Sequence, residues 1–271
     1  MQSTRVSKAY AALTEEWLVA LGPDLHLGIF ESADQSLESA TCALNERVGK
    51  RLQLSSEDRF LDVGCGVGST ALQLQQTFGA KGIGLTISPE GHAQAIRALE
   101  KMPSAESGLH FQLGDFLSDR FESVGTTKLY SIEVSHLITD KAAFFKKCAA
   151  ILEGAKARLV TVDFSLNYEV EVGAKARSLL HLFRAVRNFF GPVRLETAAR
   201  YSDWHEQAGF FCEQEDLTAS VVPTLERWKA ASAQFSPELG EKLFAASQAL
   251  DSLMQEGVVS YRLFTGHRGV H

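Results

Sequence analysis

The stretch Phe60-Leu61-Asp62-Val63-Gly64-Cys65-Gly66-Val67-Gly68-Ser69-Thr70 decides the fold. Phe60, Leu61 and Val63 have the apolar character of a short buried strand, and the glycines after them form a turn in which backbone can approach a ligand closely. Ser69-Thr70-Ala71-Leu72 then opens a helix. Strand, glycine turn and helix start in immediate succession point to a nucleotide-like cofactor. Asp62, at the strand tip just ahead of the glycines, sharpens the reading, because a carboxylate there accepts hydrogen bonds but repels a pyrophosphate. Dinucleotide folds instead bring phosphate to the helix N-terminus and set an acidic residue on the ribose about 20 residues later.

Outward from this point, strand-like and helix-like segments alternate from about Arg59 to Phe164, the pattern of a parallel sheet wrapped by helices. A helix follows through Thr70 to Phe78, stopped by Gly79, and Lys81 to Thr86 reads as the second strand. Ser88 caps and Pro89 starts the next helix, to about Lys101. Leu109 to Leu113, Lys128 to Val134 and Ala157 to Phe164 read as strands three to five, with a helix from Asp140 to Leu152 and a stop at Gly154. From Glu169 to Phe190 a long helical stretch interrupts the alternation, so about 165–200 reads as a helical cap insert. The pattern resumes with a helix Tyr201 to Ala208, a strand Phe210 to Leu217, one long helix around Thr224 to Leu253 and a last strand Val258 to Thr265. Residues 1–50 form helical material ahead of the sheet, a candidate lid over the crevice at the strand ends, and 51–271 a single α/β domain.

Composition bounds the function. The chain has 271 residues, 45% hydrophobic and 22% charged, enough to bury a substantial core. A formal net charge of -6 opposes a surface built to neutralise phosphates, so no nucleic-acid partner is expected and a small-molecule acceptor fits better. Cys42, Cys65, Cys148 and Cys212 have neither paired spacing nor histidine company, so no metal site and no disulfide framework is expected. With no apolar run of spanning length and no export signal, no membrane insertion is expected and a cytoplasmic location is.

The run from Leu61 to Gly68 resembles motif I of the class I S-adenosylmethionine (SAM) dependent methyltransferases, [LV]-D-[VIL]-G-[CS]-G-x-G. The resemblance implies a Rossmann-like sheet of six parallel strands with a seventh antiparallel one, SAM as cofactor and S-adenosylhomocysteine (SAH) as product. It extends along nearly the whole chain. Most members hold the ribose with Asp or Glu after strand two; here Gly84-Leu85-Thr86-Ile87-Ser88-Pro89-Glu90 resembles the subset containing sugar O-methyltransferases, tocopherol methyltransferases and cyclopropane-lipid synthases. That subset often has glutamine after Ser-Pro-Glu, where this chain has Gly91. Asp216-Leu217-Thr218, Val222-Pro223-Thr224 and Trp228 match its C-terminal stretch. A likeness also covers Tyr10 and Leu25-His26-Leu27-Gly28-Ile29-Phe30.

On that resemblance Gly64, Cys65 and Gly66 lie beneath the methionine part of SAM, Thr86 reaches a ribose hydroxyl, Asp62 and Ile87 also contact the cofactor, and Asp115 and Phe116 recognise adenine. Tyr10 contacts SAM, and His26 to Phe30 line the acceptor pocket or lid. The segment Ser131-Ile132-Glu133-Val134-Ser135-His136-Leu137 faces the place where methyl donor and acceptor meet. His136 has the residue type for removing a proton from an acceptor near neutral pH, or it is a structural histidine. Glu133 orients the cofactor amine, binds a polar acceptor or closes the strand. Asp163 orients His136, receives substrate or caps a turn. Phe183 belongs to an apolar face of the insert with Arg184, Arg187 and Arg194 nearby, which reads as an acceptor surface, a packed cap or the face of a homo-oligomer.

The expected activity is methyl transfer to a small, largely apolar natural product or secondary metabolite, with His136 as general base. The alternative is a cyclase or C-methyltransferase on a terpenoid, prenyl diphosphate or lipid acceptor. Cyclopropane-lipid synthases usually carry glutamate immediately before the histidine, where this chain has Ser135.

Overall fold

The computed structural model describes residues 13–102, 108–121, 123–168 and 174–268. Its centre is a seven-stranded sheet in the order β3-β2-β1-β4-β5-β7-β6. The strands are β1 (Arg59–Val63), β2 (Lys81–Thr86), β3 (Leu109–Leu113), β4 (Lys128–Ile132), β5 (Arg158–Leu166), β6 (Phe211–Asp216) and β7 (Val259–His267). β1 pairs in parallel with β2 on one side and β4 on the other, and β7 runs antiparallel to both β5 and β6. Strand order therefore reverses between β1 and β4, which opens a crevice at their C-terminal ends.

Helices cover both faces. Residues 13–20 are helical (α1), followed by α2 (Leu37–Leu52), α3 (Ser69–Phe78), α4 (Pro89–Glu100), α5 (Lys141–Ile151), α6 (Ala174–Phe190), α7 (Ala198–Gln207), α8 (Thr218–Ala231) and α9 (Pro237–Gln255). Because side chains alternate along a strand, Phe60 enters one apolar core and Leu61 the other. The larger core joins the sheet to α2, α3, α8 and α9; the smaller is filled from α5 and α7 by Phe144, Phe145 and Tyr201. β5 is buried on both faces, as an interior strand must be.

Local chemistry explains most boundaries. Gly79 caps α3 at φ +70° with its N–H on the Gln75 carbonyl, and the Ser88 hydroxyl accepts from Gly91 N–H at the start of α4. Three expectations need correction. β4 stops at Ile132 rather than Val134, because Glu133 adopts φ +54° and Ser135–Leu137 turn into a 3-10 helix. β5 continues to Leu166, held by nine antiparallel register pairs with β7. The single helix expected over Thr224 to Leu253 is two, α8 and α9, separated by the turn Ser232–Gln234 and restarted at Ser236-Pro237. α2 packs on α3 and on β4 and β5, and crosses the boundary expected at residue 50. No described helix is long and apolar enough to cross a membrane.

Candidate active site

The β1–α3 turn is built by three left-handed glycines: Gly64 at φ +85°, Gly66 at +54° and Gly68 at +83°. The Leu85 carbonyl of β2 accepts from both Gly64 and Cys65 N–H, which anchors the turn to the neighbouring strand. A Cβ on Gly64 would stand 2.3 Å from Val134 Cγ2, and one on Gly68 2.6 Å from the Phe111 ring, whereas one on Gly66 would meet nothing within 4 Å. Two of the glycines are thus required by protein packing, and the third keeps space for a ligand.

A cavity of about 360 Å3 lies along the crevice, bounded by the ends of β1 to β4 together with Thr14 and Leu25. Gly64, Gly66, Thr86, Ile87, Asp115, Phe116 and Glu133 all line it. Thr86 Oγ1 accepts from Ser88 N–H at 3.2 Å, and Asp115 Oδ1 accepts from Leu117 N–H at 2.9 Å, so both loops are preformed. The Phe116 ring leans on Phe144 at 5.2 Å between centroids.

A second hollow of about 60 Å3 sits by the glycine turn, bounded by Asp62, Cys65, Gly66, Ser69, Tyr130 and His26 among others. Asp62 is buried and accepts from Tyr130 Oη at 2.8 Å; burial lifts its pKa to about 7 against the opposing effects of Tyr130 and the His26 charge. His26 Nδ1 donates to the Leu27 carbonyl at 2.8 Å, and its Nε2 is 3.6 Å from Asp24 Oδ1. Burial opposes the imidazolium, but Asp24, Glu133 and the Leu27 carbonyl outweigh it and raise the pKa to about 9.

At the end of β4, Glu133 is buried in its left-handed conformation. Its Oε1 accepts from Leu27 N–H at 2.8 Å and from Tyr261 Oη at 2.9 Å, tying the N-terminal segment to β7. Burial raises its pKa, partly offset by the charge of His26 and the hydrogen bond from Leu27. His136 and Asp163 form a buried pair: Nδ1–H donates to Oδ1 at 2.6 Å, while His136 N–H at 2.8 Å and the Ser135 hydroxyl donate to Oδ2. Burial favours the protonated acid, yet His136 and Ser135 together hold Asp163 below the usual carboxylate range. The imidazole is therefore fixed as the Nδ1–H tautomer, with Nε2 as the basic nitrogen. Val134 and Leu137 line the main cavity, whereas the His136 side chain is buried and does not line it.

Other expected residues are elsewhere. His26 borders the hollow beside the glycine turn rather than the main cavity, because Asp24 and the Leu27 carbonyl hold its ring there. Phe30 is buried against α8, with its N–H on the Ser220 carbonyl and Arg227 over its ring, and lines neither cavity. Phe183 packs half-buried against the larger core and also lines neither. Tyr10 lies outside the described residues. Sequence reasoning missed Asp24, Tyr130 and Tyr261; the one legible signal was a tyrosine with a polar tip in the buried strand that pairs with β1, where Tyr130 is the register partner of Asp62. Among the described residues no group of three His, Cys, Asp or Glu side chains is placed to hold a metal ion.

The glycine turn, the open approach at Gly66 and the switch-point crevice define a SAM-dependent methyltransferase, whose cofactor the residues lining the two hollows fit. The chain belongs to the family described as mycolic acid cyclopropane synthetase, which it matches over residues 19–246. It is similar to O-methyltransferase cnsE of Penicillium expansum, at 26% identity over 98% of this chain and 92% of that one. Similarity to 27-O-demethylrifamycin SV methyltransferase of Amycolatopsis mediterranei (strain S699) is 26%, over 89% of this chain and 96% of that one. The fold superimposes on mycolic acid cyclopropane synthase CmaA1 in complex with SAH and CTAB with a TM-score of 0.86, at 18% identity and 98% coverage of both chains.

Proposed function

We propose that the protein methylates a hydroxyl group on a small, largely apolar natural product, with His136 taking the acceptor proton. The observation that carries this reading is the His136–Asp163 pair at the β4 edge of the crevice. When bound, SAM supplies an electrophilic methyl group on a sulfonium. Asp163, held below the usual carboxylate range by His136 and Ser135, fixes the imidazole so that Nε2 can accept a proton as the new carbon–oxygen bond forms. Leu25, Val134, Leu137 and Ile138 give the cavity apolar walls that favour a hydrophobic acceptor and exclude water. Support for oxygen as the methylated atom comes from the cnsE and rifamycin methyltransferases, both named for O-methylation. Ser135 stands where cyclopropane-lipid synthases usually carry glutamate, and its hydroxyl is turned to Asp163.

A second assignment of the base, to Glu133, has one observation in its favour: Glu133 lines the main cavity and His136 does not. Incubation with methyl-labelled SAM and a panel of hydroxylated polyketide, phenolic and terpenoid acceptors tests the activity, and His136→Ala and Glu133→Gln separate the two bases. With His136 as base, His136→Ala lowers kcat by about 100-fold or more with little change in KM, whereas Glu133→Gln leaves more than a tenth of it. The reverse ranking would transfer the role to Glu133, and no labelled product from any hydroxylated acceptor would remove the O-methylation reading.

A further inference from the structure

The hollow beside the glycine turn is bordered by a buried histidine whose hydrogen bonding is unfinished. His26 is buried, and its Nε2 has no hydrogen-bond partner among the described residues. The other ring nitrogen is committed, because the Leu27 carbonyl can only accept and so fixes the proton on Nδ1. Asp24 Oδ1 is the nearest anion to Nε2 but stands 3.6 Å away, beyond hydrogen-bond length, and already accepts from Ser69 Oγ at 2.6 Å. The charge is stabilised while the donor is left unused. Leaving a buried charged N–H without an acceptor is costly, and the cost is met when a ligand completes it.

The surroundings specify that ligand. Ser69 is the first residue of α3, a helix of ten residues whose N-cap, Gly68, provides no side-chain cap, so the positive end of the helix dipole adjoins the same hollow. An anion is favoured there. Asp62 borders the hollow too, and its carboxyl, pushed up to about 7 by burial, accepts a hydrogen bond from an ammonium and is drawn to its ionised form beside one. A carboxylate and an ammonium joined through one carbon, the end of an α-amino acid, meet both demands. The pKa of His26, raised to about 9, keeps the ring charged at neutral pH.

We infer that His26 receives the carboxylate of the cofactor's amino-acid end, with Asp24 as the positioning residue that holds the imidazolium, and that this pair makes the site selective for cofactors that retain the carboxylate. The inference rests on SAM being the cofactor, and it moves His26 from the acceptor side of the crevice to the cofactor side.

The test compares SAH with its decarboxylated analogue, which lacks only the carboxylate, by calorimetric titration of the full chain. Wild-type protein is expected to bind SAH about tenfold or more tightly than the analogue, the range of a charge-assisted hydrogen bond. In His26→Gln the affinity for SAH falls about tenfold while that for the analogue changes less than about twofold; Asp24→Asn follows in the same direction with a smaller loss. An equal loss for both ligands would assign His26 a structural role and overturn the inference. Equal binding of both by wild-type protein would overturn it without any variant. Failure of wild-type protein to bind SAH at all would instead overturn the cofactor reading, and the inference with it.

Discussion

A methyl group on Gly64 would collide with Val134 at 2.3 Å in a backbone conformation already unfavourable for an L residue, whereas the same group on Gly66 would enter open space. Gly64→Ala is therefore expected to cost about 2 kcal/mol more stability than Gly66→Ala, as measured by urea denaturation; equal costs would contradict the division of roles between them. His26 and Asp62 make a prediction about pH. His26 rises from 6.5 to about 9 on folding, so its contribution to stability is complete below pH 6.5 and is lost as pH climbs through 9. Asp62 rises from 3.8 to about 7, so its ionisation costs the folded state stability as pH climbs from 3.8 through 7. Both effects act in the same direction. Melting temperature of the ligand-free protein should fall across pH 5 to 9, His26→Gln flattening the portion above about 6.5 and Asp62→Asn the portion below about 7. Curves for the two variants that run parallel to wild type would refute the assignment.

At the level of elements, the end of β4 is a junction. Arg194 N–H donates to the His136 carbonyl at 2.7 Å, and the buried Lys141 ammonium donates to the carbonyls of Ile138 and Arg194, each at 2.9 Å. Lys141 thus ties the loop carrying His136 to the segment that follows α6. Lys141→Met should cost about 2–4 kcal/mol, because two carbonyls lose charged donors, and should lower kcat more than it raises KM by loosening the His136 loop. Denaturation midpoints and steady-state kinetics check this, and unchanged kcat in a destabilised variant would make the tie purely structural. In sequence Lys141 looks like an ordinary residue at the start of α5, next to the Asp140 cap. Its burial depends on a carbonyl 53 positions away, which periodicity does not encode. Where one long helix is expected, the chain breaks at Ser232–Gln234, and Ser236-Pro237, with proline at the first helical position, starts α9. The left-handed Glu133 had no local signal, since glutamate has no preference for positive φ; the bonds from Leu27 and Tyr261 hold it there.

Across the whole molecule, β1, β2, β4 and β5 were legible because each lies inside the sheet with at least one parallel neighbour and is largely buried, β1 running straight into the glycines of the next turn, whereas β3 and β6 are edge strands with exposed residues and β7 is antiparallel. The cofactor turn was legible for the same local reason. The polar pairs Asp62–Tyr130 and Glu133–Tyr261 were not, since each joins segments that only the sheet order brings together; Asp24 and His26 are two residues apart, and what the sequence does not encode is the burial of that local pair beside the glycine turn. His136 and Asp163 were both named from loop position, and their meeting follows from the adjacency of β4 and β5. A cofactor seated between the glycine turn and the β2 and β3 loops should stabilise the fold as a unit: SAH at 100 times its Kd should add about 2.7 kcal/mol, raising Tm, while NAD adds nothing. An NAD-dependent rise without one from SAH would favour a dinucleotide fold.

The most direct test of the account is calorimetric titration of wild-type protein and Gly66→Val with SAH. The predicted result is stoichiometric, micromolar binding by wild type, lost in a Gly66→Val protein that still unfolds cooperatively. Absence of binding by wild type, or undiminished binding by a folded Gly66→Val, would contradict the placement of the cofactor on the β1–α3 turn.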